Sequence, residues 1–258
     1  MNVMTLMMTK MMTSPAPELD LTAVLPPDLA TRVVATVSTR ARRLSLRLDT
    51  GRGRVVLVRP KHASARIALE FVASREGWIR KHLALLPAQI PFADGARIPI
   101  AGVDHILRLA ANGRGGVWRE GDTIMISGQP EFAARRMTEW LKQEARRVIA
   151  PMADEMAGLI GCKVAHVTTR DTSSRWGSCS PDGRLSFSWR LILAPLPALT
   201  YVTAHEVAHL LHLNHSRAFW RTVDEVMDRY IHDPRARREA GLARDWLQRN
   251  GAALHRYG

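Results

Sequence analysis

The chain has 258 residues, 46% of them hydrophobic, and a formal net charge of +13. That length supports a sizeable core in one or two domains, and no apolar run is long enough to span a bilayer. Its two cysteines, Cys162 and Cys179, exclude a disulfide framework and fit a reducing cytoplasm. Arginine supplies most of the charge and is spread along the chain with no DNA-binding motif, as is also expected of a GC-rich genome. Charge alone therefore leaves nucleic acid, an anionic membrane surface and acidic proteins open as partners.

In chain order, Met4, Met7, Met8, Met11 and Met12 fall at helical spacing, but the segment lacks the charged start and cleavage site of a signal peptide. With the prolines at 15, 17, 26 and 27, residues 1–30 read as a disordered Met/Pro-rich leader ending in extended linker. Leu44, Leu46 and Leu48 alternate with Ser45, Arg47 and Asp49, which predicts a half-buried strand. A turn over 49–53 and the apolar run 54–58 complete a hairpin. Residues 64–86 follow helical spacing, with Ile67, Phe71, Trp78, Ile79 and Leu83 inward, until Pro87 and Pro91. Short strands are expected near 97–100, 105–109, 117–118 and 123–126, joined by glycine turns. Gly113-Arg114-Gly115-Gly116 lacks the lysine and the strand-to-helix context of a phosphate loop and reads as a hairpin turn. Residues 31–130 thus form an N-terminal β-hairpin and helix region.

A catalytic core is assigned to 131–250. It opens with a long helix over 131–159, whose inward face is Met137, Leu141, Ala145, Val148 and Met152. A strand at 164–168, a polar loop at 171–180, a tight turn at 180–183 and a strand at 185–193 come next. Beyond His215, Ser216 suits the N-cap of a helix carrying Phe219, Trp220, Val223 and Met227, and a basic helix spans 233–249.

The most informative segment is His205-Glu206-Val207-Ala208-His209. Histidines four residues apart share one helix face and can hold one metal ion, and the adjacent carboxylate can reach a metal-activated water. Val202, Ala204, Val207, Ala208, Leu210, Leu211 and Leu213 make the helix apolar nearly all round, so it is expected to be buried. His212 and His215 both compete as third ligand. His212 continues the helix at a poor angle, whereas His215 lies beyond a turn with freer geometry. Three histidines would leave one position open on a tetrahedral zinc. Arg175, Tyr201, His212 and Arg217 are candidate contacts to substrate or to a developing oxyanion. Cys179 reads as a packed thiol, a further ligand or a switch-like inhibitor.

Arg175-Trp176-Gly177-Ser178-Cys179, then Tyr201-Val202 leading into the histidine motif, then Asn214-His215-Ser216 and Phe219-Trp220, closely resemble the YgjP-like metallopeptidases, relatives of the SprT and WLM zinc peptidases. The likeness extends from about Arg40 to Leu247. It implies one zinc ion bound by His205, His209 and His215, Glu206 as catalytic base, and a protein or peptide substrate. It also implies a zincin-like α+β fold, in which an edge strand, here 185–193, lies beside the cleft. Two alternatives remain. One is an SprT-like protease acting on nucleic-acid-bound proteins. The other is a metal-dependent hydrolase of another bond, such as a nucleotide phosphoanhydride.

Overall fold

The computed structural model describes residues 19–49, 53–86, 88–110, 116–172 and 175–258. The methionine run, turn residues 50–52 and glycine loop 111–115 lie outside the described residues. The chain divides into two compact units, residues 1–49 with 54–86, and residues 50–53 with 87–258. Sequence pattern groups the strands near 97–127 with the N-terminal hairpin. Packing groups them with the second unit, because Ile98, Leu107, Ile124 and Ile126 share one core with the helices C-terminal to them.

In the first unit, residues 19–30 are not the expected leader. Asp20 caps a 3₁₀ turn over Leu21–Ala23, and Pro27 opens a one-turn helix, α1 (Pro27–Ala30). Leu21, Leu25 and Leu29 recur every four residues and are all buried. The next three elements are strands: β1 (Val33–Ser38), β2 (Ser45–Asp49) and β3 (Arg54–Pro60). β2 and β3 pair antiparallel as expected, with Leu46 opposite Leu57 and Leu48 opposite Val55. β1, which the sequence pattern did not announce, pairs parallel on the other side of β3. The expected single helix is two, α2 (Ala65–Ala73) and α3 (Glu76–Ala84). The break falls at Ser74, whose hydroxyl bonds the carbonyl of Phe71 at 2.8 Å. Ala68, Val72, Ile79 and Leu83 face Val55 and Leu57 in the core, whereas Ile67 is 48% exposed.

The second unit begins with β4 (Arg97–Ile100), β5 (Val103–Ala110), β6 (Val117–Glu120) and β7 (Thr123–Ser127), in the sheet order β4-β5-β7-β6. β7 lies between β5 and β6, so the glycine stretch between those two strands does not join sheet neighbours as a hairpin turn would. The tight turns are elsewhere. Ala101 and Gly102, at φ 50° and 88°, join β4 to β5, both in the left-handed region that a two-residue hairpin requires. The tip of this turn rests against residues 192–195. Ala101 donates its N–H to the Ile192 carbonyl at 2.7 Å, and a Cβ on Gly102 would lie 3.3 Å from Pro195 Cα.

The long helix, α4 (Ala133–Leu159), buries Met137, Leu141, Ala145, Ile149 and Met152, so Ile149 takes the inward place expected of Val148. A second sheet contains β8 (His166–Arg170), β9 (Gly177–Cys179) and β10 (Arg184–Ser188) in the order β8-β10-β9. This topology departs from the sequence pattern twice. The stretch 185–193 is not one edge strand, because β10 is central and residues Trp189–Leu193 wind into a 3₁₀ helix with every residue buried. A run buried on all sides carries no alternation to separate strand from turn. The edges are β8 and β9, and β9, the one beside Glu206, lies inside the segment read as polar loop. Four helices complete the unit: α5 (Leu196–Ala208), α6 (Arg217–Tyr230), α7 (Pro234–Gly241) and α8 (Ala243–Leu254). The last two replace one expected helix.

Arg190 ties this unit together. It is 4% exposed, pairs with Asp171, lies 4.2 Å over the Trp189 ring and donates to the Tyr257 carbonyl at 3.3 Å. Arg190→Ala removes the guanidinium packed on the Trp189 ring and the donor to the Tyr257 carbonyl, whereas Asp171 is exposed and stays solvated. It is therefore expected to lower unfolding stability by about 1–2 kcal/mol, read from the urea midpoint. A loss below about 1 kcal/mol would mean that Arg190 does not hold the unit together.

Candidate metal centre

α5 starts at Pro195, which fixes the extended N-cap, and is buried from Ala198 to Ala208 except at Tyr201 and His205. It ends at His209, which takes the C-cap position. The helix is shorter than the apolar pattern suggested, since Leu211 and Leu213 lie beyond it and are 50% and 68% exposed. Ending there lets the chain reverse. Asn214 accepts from the Ser216 N–H at 3.3 Å, and Ser216 caps α6 by accepting from Phe219 N–H. That turn returns His215 to the two helix histidines.

The ligand atoms of His205, His209 and His215 all lie within 4.8 Å of one another. Nε2 of His205 and Nε2 of His215 are 3.0 Å apart. Two imidazole nitrogens on one tetrahedral zinc stand about 3.3 Å apart, so the spacing fits such an ion. His209 Nδ1 sits 2.8 Å from the backbone carbonyl of His212. Donation to that oxygen leaves Nε2 free as the ligand atom. His212 thus serves the centre through its backbone, and its imidazole lies outside the trio. Burial draws the His205 pKa down to about 4, and neighbouring His209, His215 and Arg244 act the same way. It also lowers that of His209. Neutral imidazole is the form that binds metal. The ring of Phe219, wholly buried, underlies all three, with centroids 4.8, 4.5 and 4.7 Å from His205, His209 and His215.

Glu206 is 6% exposed, and burial pushes its pKa up to about 7 against the opposing pull of Arg175. It packs against Gly177 of β9 so closely that a Cβ there would lie 2.5 Å from both Cγ and Oε1. Gly177 is a site residue that sequence reasoning did not identify. A glycine in a strand is a sign of close approach, but the segment reads as a loop until β9 is paired with β10. Cys179 lies outside the histidine cluster, and burial raises its thiol pKa to about 11, assisted by Glu206 and Asp182.

A cleft of about 590 Å³ lies over His205, Glu206 and His215. Of the four candidate contact residues, Arg175 and Tyr201 line it, while His212 and Arg217 do not. Trp176 and Trp220 form aromatic wall, and α8 adds Arg244, Leu247 and Gln248. α8 approaches closely because Gly251 meets the Trp176 ring, where a Cβ would lie 3.0 Å from Cζ2. Trp176 also stacks on His255 with centroids 5.1 Å apart.

A mixed α+β unit with three convergent imidazoles and a buried carboxylate has the composition of a metal-dependent hydrolase centre. The YgjP-like metallopeptidase domain family matches residues 42–236, and this chain belongs to that family. Among solved structures, the chain is similar to that of the metallopeptidase zymogen of Pyrococcus abyssi abylysin. Identity is 21% over 39% of this chain and 96% of that one, with a TM-score of 0.32. No curated protein matches. No helix among the described residues is long and apolar enough to cross a membrane.

Metal content separates the two rival third ligands. His215→Ala is expected to lose the bound metal, whereas His212→Ala retains it, because only its backbone oxygen is used. Metal lost from His212→Ala alone would reverse the assignment.

Proposed function

We propose that this protein is a zinc-dependent peptidase with a zincin-like core, in which His205, His209 and His215 hold the ion and Glu206 is the general base. The reading is carried by one observation: the three ligand atoms gather within 4.8 Å beside a carboxylate that is nearly fully buried. When bound, zinc would supply Lewis acidity, polarising a peptide carbonyl and easing the ionisation of water. Glu206 accepts the proton of the attacking water on its carboxylate and delivers it to the leaving amine. Arg175 and Tyr201, both in the cleft, offer donors to the carbonyl oxygen as it gains charge. The substrate backbone pairs along the free edge of β9, which positions the scissile bond next to Glu206. The working compartment is taken as cytoplasmic. The test is cleavage of unfolded proteins and peptides by zinc-loaded protein, with and without chelator. Cleavage that survives complete metal removal would sink the reading.

A second reading, a peptidase acting at nucleic acid, is favoured by the first unit. Residues 19–86 hold thirteen Lys and Arg against five Asp and Glu. Arg40, Arg43 and Arg47 line a hollow of about 690 Å³ with the hydroxyls of Thr36, Ser38, Thr39 and Ser45. Such a surface suits phosphate oxygens. Single-stranded oligonucleotide affinity should then fall with salt, and substituting all three arginines with Gln should flatten that slope by about two. Binding that ignores salt or the substitutions counts against this reading.

A further inference from the structure

The wall that α8 adds to the cleft has a chemistry that the metal centre does not explain. α8 begins at Ala243, beyond residue 236 where the family match ends. Arg244, Leu247 and Gln248 stand three and four residues apart, so they share one helix face, and all three line the cleft. Gly251, one turn further, lets that face lie against Trp176. Arg244 is exposed, and its guanidinium carbon lies 5.8 Å from the centre of the Trp220 ring, which also lines the cleft.

Arg244 has no acidic partner within ion-pair distance among the described residues, although other arginines of the C-terminal helices do. Arg237 pairs with Asp228 and Arg229 with Glu225. Glu206 is the one acidic group among the described residues lining the cleft, and the mechanism already uses it. Arg175 adds a second positive charge to the same cleft. A planar fork beside an aromatic ring, in a cleft whose one acidic group among the described residues belongs to the metal centre, matches a carboxylate brought by the ligand.

We propose that Arg244, supported by Trp220 and flanked by Gln248, recognises a carboxylate of the substrate close to the scissile bond, so that the preferred substrates are acidic peptides. The carboxylate belongs either to an Asp or Glu side chain or to the free C-terminus of the peptide. This rests on the peptidase reading for its turnover assay and stands apart from it for its binding assay.

The probes are internally quenched alanine-based hexapeptides carrying one Glu at successive positions, their Gln counterparts, and the same peptides as free acids or C-terminal amides. Zinc-loaded wild type should cleave the best Glu or free-acid peptide about 10- to 100-fold faster, in kcat/KM, than its neutral counterpart. Dependence on the Glu position identifies a side-chain carboxylate, and dependence on the free acid identifies the C-terminus. Arg244→Gln should bring that ratio below about 3, and Arg244→Lys, which keeps charge without the fork, should fall between. A residue that only packs on Trp220 would change stability and leave the ratio alone. Equal cleavage of acidic and neutral peptides by wild type, or an unchanged ratio in Arg244→Gln, overturns the proposal. Equilibrium binding of the same pairs to zinc-loaded Glu206→Gln is measured in parallel. Acidic preference in binding without any turnover by wild type would sink the peptidase reading and uphold the carboxylate site, whereas binding without preference overturns the site.

Discussion

Glu206→Gln is expected to keep one equivalent of metal and to lower peptide turnover by about 10²- to 10⁴-fold, the range that a positioned general base contributes. The amide matches the carboxylate in size, so the packing against Gly177 and the three imidazoles are left as they are. What disappears is the ability to accept a proton. Burial supports the assignment, because it lifts Glu206 to a pKa of about 7, where proton uptake and release are both easy near neutrality. Arg175 pulls the other way, as a cation bound by the histidines would, which keeps the base form populated. The measurement is kcat/KM beside metal content on the same preparation. Turnover within tenfold of wild type, with metal retained, would remove Glu206 from the mechanism.

The parts of this site that were legible in the sequence are those carried by spacing along one helix. His205, Glu206 and His209 need only the α-helical repeat to be placed together. His215 was placed by its freer geometry beyond the end of the helix and by the family resemblance. Arg175 was named as a candidate contact, but Arg244, Gly177 and Gly251 were not legible, because their partners are distant in sequence. Gly177 meets Glu206 across 29 positions, and Gly251 meets Trp176 across 75. Nothing local distinguishes Arg244 from the other arginines of the C-terminal helices until α8 is packed beside the cleft. Strand identity failed where burial was uniform. Residues 185–193 are apolar enough for a strand throughout, and only the inward Arg190, paired with Asp171, marks where the backbone winds into a 3₁₀ helix. Conversely, β9 was hidden because Gly177, Ser178 and Cys179 have the composition of a loop. Within the expected leader, residues 19–30 were misjudged by their prolines, although Leu21, Leu25 and Leu29 already carried the four-residue repeat of a packed segment.

Gly177→Ala should give the second large effect, and it tests whether β9 positions the catalytic base. Gly177 is not in the left-handed region, so its backbone admits alanine, and the obstacle is space alone. One methyl group at 2.5 Å from Oε1 and Cγ of Glu206 cannot be accommodated without moving one of the two. β9 is held by β10 on one side, with Gly177 opposite Phe187, and Phe187 is fully buried, so the side chain of Glu206 is the softer partner. Displacing a catalytic carboxylate by about 1 Å lowers turnover by about 100-fold. The expected result for Gly177→Ala is therefore a loss of that order in kcat with metal content unchanged, since Glu206 is not among the ligands. A double-mutant cycle separates positioning from general damage. In the Glu206→Gln background the base is already gone, so adding Gly177→Ala should lower turnover by less than about threefold. A full 100-fold further loss there, or wild-type activity in Gly177→Ala itself, would show that the contact between β9 and Glu206 does not set the position of the base.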